Sequence, residues 1–596
     1  MTIIKGEHHL GGFGGGPSDD SDQGRSDYFY LFPDAANAAY AGVLNIASDD
    51  PDHPDGTDAD TILRLIAVAT WIEQVNSDDP ANDLKLRIRL PAAYAYFGQF
   101  LNHDLSAPVG SMAVDVDQIP DPGLIGADQP PGIAKGWRAD TTAEITRRIR
   151  NEHAVPLRLD SLYGEGPFGI GGRPASAEVR ALYDAEGLCF VLGQTVDGSA
   201  EATLLAKFPV KRELGALDLP RRRVNGKLVT LIADQRNDGK LETLIADQRN
   251  DGNLILSQMH LAFMLLHNKV VGMLQPQTPD PVACFAAARR LVTQHYHWCI
   301  LHDFLPRILS QGALRDAIDS PKLFTQQNRG KVPMEFSTAA FRFGHSLISD
   351  SYDYNANFGT GPTLIMQDSA TLVDLFAFTA AGNMKGHDQL PDHWVIDWNR
   401  MTTDAVENKP LTQGHSEQID LRFAKGMMAA VPNERRPDLH SIISRNLVRG
   451  FHRRIPFGQV LAKLCGKQAL GTTEIRMAMP NGLARVAGHD DEDSNAPQMR
   501  AALLSQTPAW LYFLCEAKLN GAELRGGKLV GGGERLGPVA SQIIAETFVA
   551  QMGRDSGDIL GAGSSAWTPQ QSPLRFANDQ PVATLGDVLR FAVAPA

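Results

Sequence analysis

From Ile62 onward, apolar residues recur mostly three and four positions apart, the spacing that turns one face of an α-helix toward a core. The spacing predicts helices over 92–105, 254–274, 284–309, 370–379 and 506–519. Pro91 suits the first turn of the first of these, where its missing N–H has no partner to lose. Strand-like alternation is scarce, and 189–192 with 202–210 form at most one short hairpin. Connections rich in Gly and Pro, notably 118–136 and 163–174, separate the helices. The fold class expected is mainly α, a single large helical body with long loops and little β-structure over 61–563. Residues 1–60 read as an N-terminal arm and acidic linker, with an aromatic patch (Tyr28, Phe29, Tyr30, Phe32) that packs along the body. Residues 564–596 read as a polar C-terminal tail.

Composition narrows the class. With 43% hydrophobic and 21% charged residues the chain is ordinary for a globular protein, which excludes a disordered chain, a collagen-like fibre and a coiled-coil rod. A net charge of −13 repels phosphate backbones, so nucleic acid is not an expected partner. No apolar run approaches the ~18 residues of a membrane helix; 261–266 is among the longest. The N-terminus has neither a basic segment nor an apolar one after it, so the expected location is cytoplasmic, or exported without an ordinary signal peptide. Five scattered cysteines without a CxxC pair read as small buried thiols rather than a disulfide framework.

One repeat stands out. TLIADQRNDG occurs at 230–239 and again at 243–252, a tandem copy too short-lived for a solenoid. Its DQRNDG phrase imitates the start of a calcium loop, but arginine holds the third ligand position and Ile245 the twelfth, so calcium binding there is rejected. A local duplication with one copy in the structural role is the reading kept.

P-loop, HExxH and GxSxG signatures are absent, and Gly531-Gly532-Gly533 lacks the rest of a dinucleotide fingerprint. Histidine carries the interest, in four settings. In PAAYAYFGQFLNHDL, Gln99 and His103 stand four apart on one helical face, able to hold a small polar ligand and move its proton. In FRFGH, His345 beside a glycine could be an axial metal ligand with room for a flat cofactor. For each, a hydrogen-bonded core histidine is the simpler reading of the spacing alone. His295, His297, His302 and Asp303 suggest a metal cluster or a phosphohydrolase, but on a helix His295 and His297 point about 200° apart and cannot share a metal. His260 and His267, seven apart on an apolar helix, read as core residues.

In their order these segments resemble the animal-type haem peroxidases, the peroxidase–cyclooxygenase superfamily, in its bacterial branch. The resemblance runs from about Leu90 to Gly561. It rests on YFGQFLNHDL (96–105), LDSLYGEGP (159–167), DQRNDGNLILSQMHLAF (247–263), HYHWCILHDFLPRI (295–308) and FRFGHSLI (341–348). LPDHWVIDWNRM (390–401), RNLVRG (445–450), TPAWLYFLCEA (507–517) and GGGERLGPVASQIIAE (531–546) complete it. It implies a helical body holding haem b, with His103 as distal base, Gln99 beside it for water or halide, and Arg249 as distal arginine. It implies His345 as the proximal iron ligand, Asn446 as its hydrogen-bond partner, and Arg342 and Arg449 near the haem propionates. The duplication makes Arg236 the alternative distal arginine; Arg249 is chosen because it keeps the spacing to LILSQMHLAF.

Three departures shape the expectation. Where mammalian members attach haem through esters, this chain has Asn102 and Gly252, and Asn253 stands where one branch has a linking methionine. The haem is therefore expected to be non-covalent and chloride oxidation is not expected. Where cyclooxygenases carry a tyrosine, Arg342 stands. The resemblance also places a calcium at Asp104 and in the loop around Asp160, but Ala154 and Arg158 replace two ligands, so the sequence argues against calcium and for Arg158 in the ion's place, pairing with Asp104 and Asp160. The activity implied is reduction of hydrogen peroxide through a ferryl intermediate and oxidation of a small reducing substrate, a phenol, an aromatic amine or an easily oxidised anion. The rivals are a fatty-acid or other oxygenase of the same superfamily, a haem-binding protein without turnover, and last a phosphohydrolase on His302 and Asp303.

Overall fold

A computed structural model of the chain describes residues 28–38, 58–78, 86–109, 141–151, 153, 157–169, 174–201, 210–224, 240–328, 330–359, 367–428, 441–480, 496–526, 528–552, 559–560 and 566–595. The first repeat copy with Arg236, the 118–136 connection and Ala154 lie outside the described residues.

The protein is mainly α, and its centre is helix Leu254–Leu274. Asn253 caps it by accepting from Leu256 N, and residues on nearly every side are buried. By length and composition this helix is apolar enough to cross a membrane, although polar residues such as Ser257, Gln258, His260 and Lys269 interrupt its apolar run. Its apolar window is 83% buried within the protein, so the apolar surface is covered by neighbouring helices. Those neighbours are Ala93–Leu105, Pro281–Cys299 and Leu585–Val593.

Helix Pro281–Cys299 begins with the Asp280 cap and a proline in its first turn, then widens into a π-turn at Ile300–Phe304 before Leu305–Ile308. The expected 370–379 and 506–519 helices are Leu372–Ala377, capped by Thr371, and Ala509–Leu519, which starts directly after Pro508.

The segment read as a polar tail is corrected. Thr584 and Asp587 form a capping box, and helix Leu585–Val593 buries Leu585, Val588, Leu589 and Phe591 against the central helix. Leu585 N donates to Asp303 Oδ2 at 2.8 Å, which seats its first turn.

Strands occur only in pairs among the described residues. Tyr28–Phe29 lies parallel to Val332–Pro333, and Arg221–Val224 runs antiparallel to Lys240–Thr243 with Val224 opposite Lys240. Phe190 bridges Tyr183; of the other half of the hairpin expected there, 202–209 lie outside the described residues.

Candidate active site

Helix Ala93–Leu105 sets Gln99 and His103 one turn apart, with His103 buried and Gln99 half-buried. Against its last turn lies one 3₁₀ turn, Gln248–Asp251, capped by Asp247, whose carboxylate accepts from Arg249 N at 3.0 Å. This turn supplies three contacts to the helix. Asn250 Oδ1 and His103 Nδ1 are 2.8 Å apart. Arg249 donates from Nη1 to Ser106 O at 2.8 Å and from Nη2 to His103 O at 3.0 Å, capping carbonyls that the helix end leaves unsatisfied. Asn253 Nδ2, just beyond, donates to Gln99 Oε1 at 3.1 Å.

Arg249 is therefore a tethered cation. Its Nε donates to Asp247 Oδ1 at 2.9 Å. Burial alone would raise Asp247, but Arg249, with His103 and His153 nearby, holds it well below the ordinary carboxylate range.

The second cluster forms on the 3₁₀ segment Ala340–Leu347, which packs against helix Ala93–Leu105. Helix Ile442–His452 brings Asn446 to it, with Nδ2 2.9 Å from His345 Nδ1. His345 Nε2 has no hydrogen-bond partner among the described residues. Burial, with Arg342 and Arg449 adding positive potential, pushes the imidazole down to about 3, so it is neutral across the working range. A Cβ placed on Gly344 would meet no atom within 4 Å, so there is open space beside this histidine. Arg342 is oriented by Nε donating to Ser337 O at 3.0 Å, and Arg449 follows Asn446 by one turn of the same helix.

Tyr28, from the arm, joins the two clusters. It is 3% exposed. Burial pushes its hydroxyl up to about 12 against the pull of Arg453, Arg249 and Arg342, with Ser106 beside it.

Part of the chain is similar to a known family. Residues 207–422 match the model of the animal haem peroxidases. That span contains Arg249, Arg342 and His345, while Gln99, His103, Asn446 and Arg449 fall outside it. The chain is similar to a peroxidase-like protein of Margaritifera margaritifera, 32% identical over 112 residues, which are 16% of this chain and 13% of that protein. It is similar to peroxidase mlt-7 of Caenorhabditis elegans, 31% identical over 102 residues, 16% of this chain and 14% of that one. The chain thus matches about one seventh of the length of these relatives. Among solved structures it is similar to peroxidase A of Dictyostelium discoideum, with TM-score 0.45 and 16% identity over 80% of this chain and 82% of the other. A fatty acid alpha-dioxygenase of Oryza sativa gives TM-score 0.43 and 8% identity over 78% and 69%.

The loop expected to replace calcium is built differently. Asp104 accepts from Leu159 N at 3.0 Å, Ser161 N at 3.1 Å and Tyr296 Oη at 3.1 Å. Asp160 pairs with Arg289 Nη2 at 2.9 Å, and the same nitrogen reaches Arg158 O at 3.2 Å. Arg158 itself is exposed, so its pairing with Asp104 and Asp160 is corrected. Leu157 and Leu159 both have positive φ, and this winding aims backbone N–H groups at Asp104 and turns the intervening arginine outward.

His295, His297, His302 and His267 take structural partners. His295 Nε2 meets Ser572 Oγ at 2.7 Å, His297 Nε2 meets Leu157 O at 2.7 Å, and His302 stacks on Trp298 with ring centres 3.8 Å apart. Asp303 accepts from Tyr94 Oη at 2.6 Å and Arg307 Nε at 2.7 Å, which leaves the phosphohydrolase reading without its carboxylate. His267 lies between Tyr163 Oη and Leu188 O. Sequence reasoning missed Asn250, Asp247, Tyr28 and Arg289. The first two stood in plain sight beside Arg249, but nothing in the spacing says which way a 3₁₀ side chain points.

Proposed function

We propose that the chain is a haem-dependent peroxidase that reduces hydrogen peroxide and oxidises a small phenol, aromatic amine or easily oxidised anion. One observation carries the reading: two imidazoles on packed elements, His103 and His345, each have Nδ1 engaged by an asparagine amide, Asn250 presenting its carbonyl to His103 and Asn446 its amide nitrogen to His345, so that Nε2 is the nitrogen left over on both rings.

The residues fit haem. His345 is neutral and borders open space; to hold iron at Nε2 it needs its proton on Nδ1, so Asn446 would have to turn its amide and present Oδ1, which is buried without a hydrogen-bond partner among the described residues. Arg342 and Arg449, whose charges both act on His345, would serve as counter-ions for the haem carboxylates. Haem, when bound, supplies the redox iron that accepts electrons from the donor and passes them to peroxide. His103 Nε2 would take the proton of the incoming peroxide and return it to the departing oxygen. Gln99, held by Asn253, would orient a water or anion beside it, and Arg249 would fix the helix end that presents the base. Arg342 in place of a tyrosine supports peroxidase over a tyrosyl-radical oxygenase.

We further propose that the haem is haem b and non-covalent. Asn102 and Gly252 cannot form esters, and the neighbouring Asp251 is engaged by Arg221, Thr243, Ser257 and Ala380 N. An absorbance spectrum of haem-reconstituted protein, before and after hydrogen peroxide, tests the function. A Soret band that shifts with peroxide and recovers with a phenolic donor is expected; no Soret band would defeat the reading. Acid–acetone extraction should release all of the haem unmodified.

A further inference from the structure

We infer that Asn250 is the positioning residue that decides which nitrogen of His103 carries the proton, and that His260 holds Asn250 in the orientation this requires. Its use for peroxide chemistry rests on the peroxidase reading; the arrangement of protons does not.

Asn250 is fully buried and its amide spans two imidazoles. Oδ1 faces His103 Nδ1 at 2.8 Å, and Nδ2 faces His260 Nδ1 at 3.0 Å. A primary amide has one accepting end and one donating end, so the contacts are not interchangeable. With the carbonyl toward His103, the imidazole proton sits on Nδ1 and the lone pair on Nε2. With the amide reversed, Nδ2 would donate to His103 Nδ1 and the proton would sit on Nε2. A base that takes a proton at Nε2 must arrive with that nitrogen bare, so only the first arrangement serves. Free neutral imidazole favours the proton on Nε2, which means that the useful tautomer has to be imposed.

Two features impose it. The backbone of Asn250 is pinned within its turn by Asn250 N donating to Asp247 O and Gly252 N to Arg249 O. Beyond the amide, His260 accepts at Nδ1, which needs a neutral ring; burial pushes His260 down to about 4, so it stays neutral. The arrangement leaves a cost in view. The proton of His260 is then on Nε2, which is buried without a hydrogen-bond partner among the described residues; the His260 and Phe100 ring centres are 6.1 Å apart at 64°. A buried N–H left unpaired costs ~1–3 kcal/mol. Reversing the amide would put that proton on Nδ1 and relieve it. The site keeps the orientation that suits His103, as expected where chemistry competes with local satisfaction. Among the described residues, the charged groups around His103 include Arg249 and Asp247 on the turn, with His153 Nε2 4.0 Å from Asp247 Oδ2.

The test starts with the haem-free protein. Ring ¹⁵N shifts of the histidines, with His103 assigned by its loss in His103→Gln, should show the Nδ1–H tautomer in the wild type. Asn250→Leu should convert His103 to Nε2–H, and His260→Leu, which releases the far end of the amide, should give a mixture. Asn250→Asp keeps an acceptor and should retain Nδ1–H while raising the His103 pKa by at least one unit. An Nε2–H tautomer in the wild type, or an unchanged tautomer in Asn250→Leu, would overturn the inference. If Asn250→Leu does not fold, the wild-type tautomer and Asn250→Asp decide. In haem-loaded protein, cyanide, which must surrender its proton to a base on binding, should bind at least tenfold more slowly to Asn250→Leu. A chain that takes up no haem defeats the peroxidase reading but leaves the tautomer result standing. A haem protein with His103 as Nε2–H defeats this inference alone.

Discussion

Arg221→Met tests how the turn bearing Arg249 and Asn250 is held in place. The Arg221 side chain is fully buried. Its Nε donates to Asp218 Oδ2 at 3.2 Å, Nη1 to Asp251 Oδ2 at 2.6 Å and to Thr243 Oγ1 at 2.8 Å, and Nη2 to Asp251 Oδ1 at 3.0 Å. Asp251 accepts in addition from Ser257 Oγ at 2.6 Å and Ala380 N at 2.9 Å, so one carboxylate ties the turn to the central helix and to the 380 loop. Burial disfavours the charge on Arg221, but Asp218 and Asp251 more than offset it. Methionine fills the volume and leaves two carboxylates in the interior without a cation. Breaking a buried ion pair from one side costs ~3–5 kcal/mol.

The sign of the pH effect follows. Without the guanidinium both carboxyls titrate above their unfolded values, so the folded variant binds more protons and loses stability as pH rises toward neutrality. Urea unfolding of the haem-free protein should therefore show a larger penalty at pH 7 than at pH 5. The triple variant Arg221→Met/Asp218→Asn/Asp251→Asn should recover most of it. A double-mutant cycle between Arg221→Met and Asp251→Asn should give a coupling of at least ~2 kcal/mol. A penalty under ~1 kcal/mol with additive variants would show that the network does not hold the turn.

Three further outcomes are expected. His345→Ala should lose high-affinity haem uptake in a haemin titration, and an unchanged Soret band would refute the proximal assignment. Arg249→Ala, which uncaps the helix end and leaves Asp247 without its cation, should slow peroxide reduction at least tenfold, whereas Arg236→Ala should be nearly silent; a sensitive Arg236 would reverse the choice between repeat copies. Stability should peak near pH 6.5. In the haem-free protein burial holds His260, His267 and His295 at about 4 and His345 at about 3, and lifts Glu335 to about 7 and Glu516 to about 8. Between about 4.5 and 6.5, unfolding takes up four protons and releases two, so these groups add ~2.7 kcal/mol per pH unit as pH rises; above that only the release remains and stability falls. A urea midpoint rising steadily from pH 5 to 8 would contradict this.

What could be read from the sequence follows from how local each signal is. Helix Leu254–Leu274 was legible to the residue, because Asn253 caps a predominantly apolar segment. The Gln99 and His103 pair was legible because a helix fixes residues four apart on one face. The final helix was hidden by the polar stretch before it, although Leu585, Val588, Leu589 and Ala592 keep helical spacing. Arg158 stands where the resemblance puts a calcium ligand, but the partner of Asp160 is Arg289, a contact between loop and helix that no local pattern encodes. Asn250 is the sharpest case. Its identity was visible, and its function depends on the register between a 3₁₀ turn and two helices.

The duplicated segment can be placed by the same reasoning, because its copies extend further than the shared decapeptide. KLVTLIADQRNDG at 227–239 is followed directly by KLETLIADQRNDG at 240–252. The second copy supplies the strand Lys240–Thr243 and every contact of the turn described above. There is one Arg221 to meet Asp251, one His103 to meet Asn250 and one central helix to begin, and the second copy meets all three. The first copy falls wholly within the connection between paired strands, since Val224 stands opposite Lys240. Deleting 227–239 would join Val224 to Lys240 through Asn225-Gly226 alone. Asn-Gly is the strongest two-residue hairpin signal, because both positions of a type I′ turn need positive φ. Shortening the loop from roughly fifteen residues to about two lowers the entropy of closure by ~1.8 kcal/mol. The deletion variant should therefore keep its haem uptake and peroxide reduction and melt at the same or a higher temperature. Loss of the Soret band or a lower melting temperature would show that the first copy contributes to the fold in its own right.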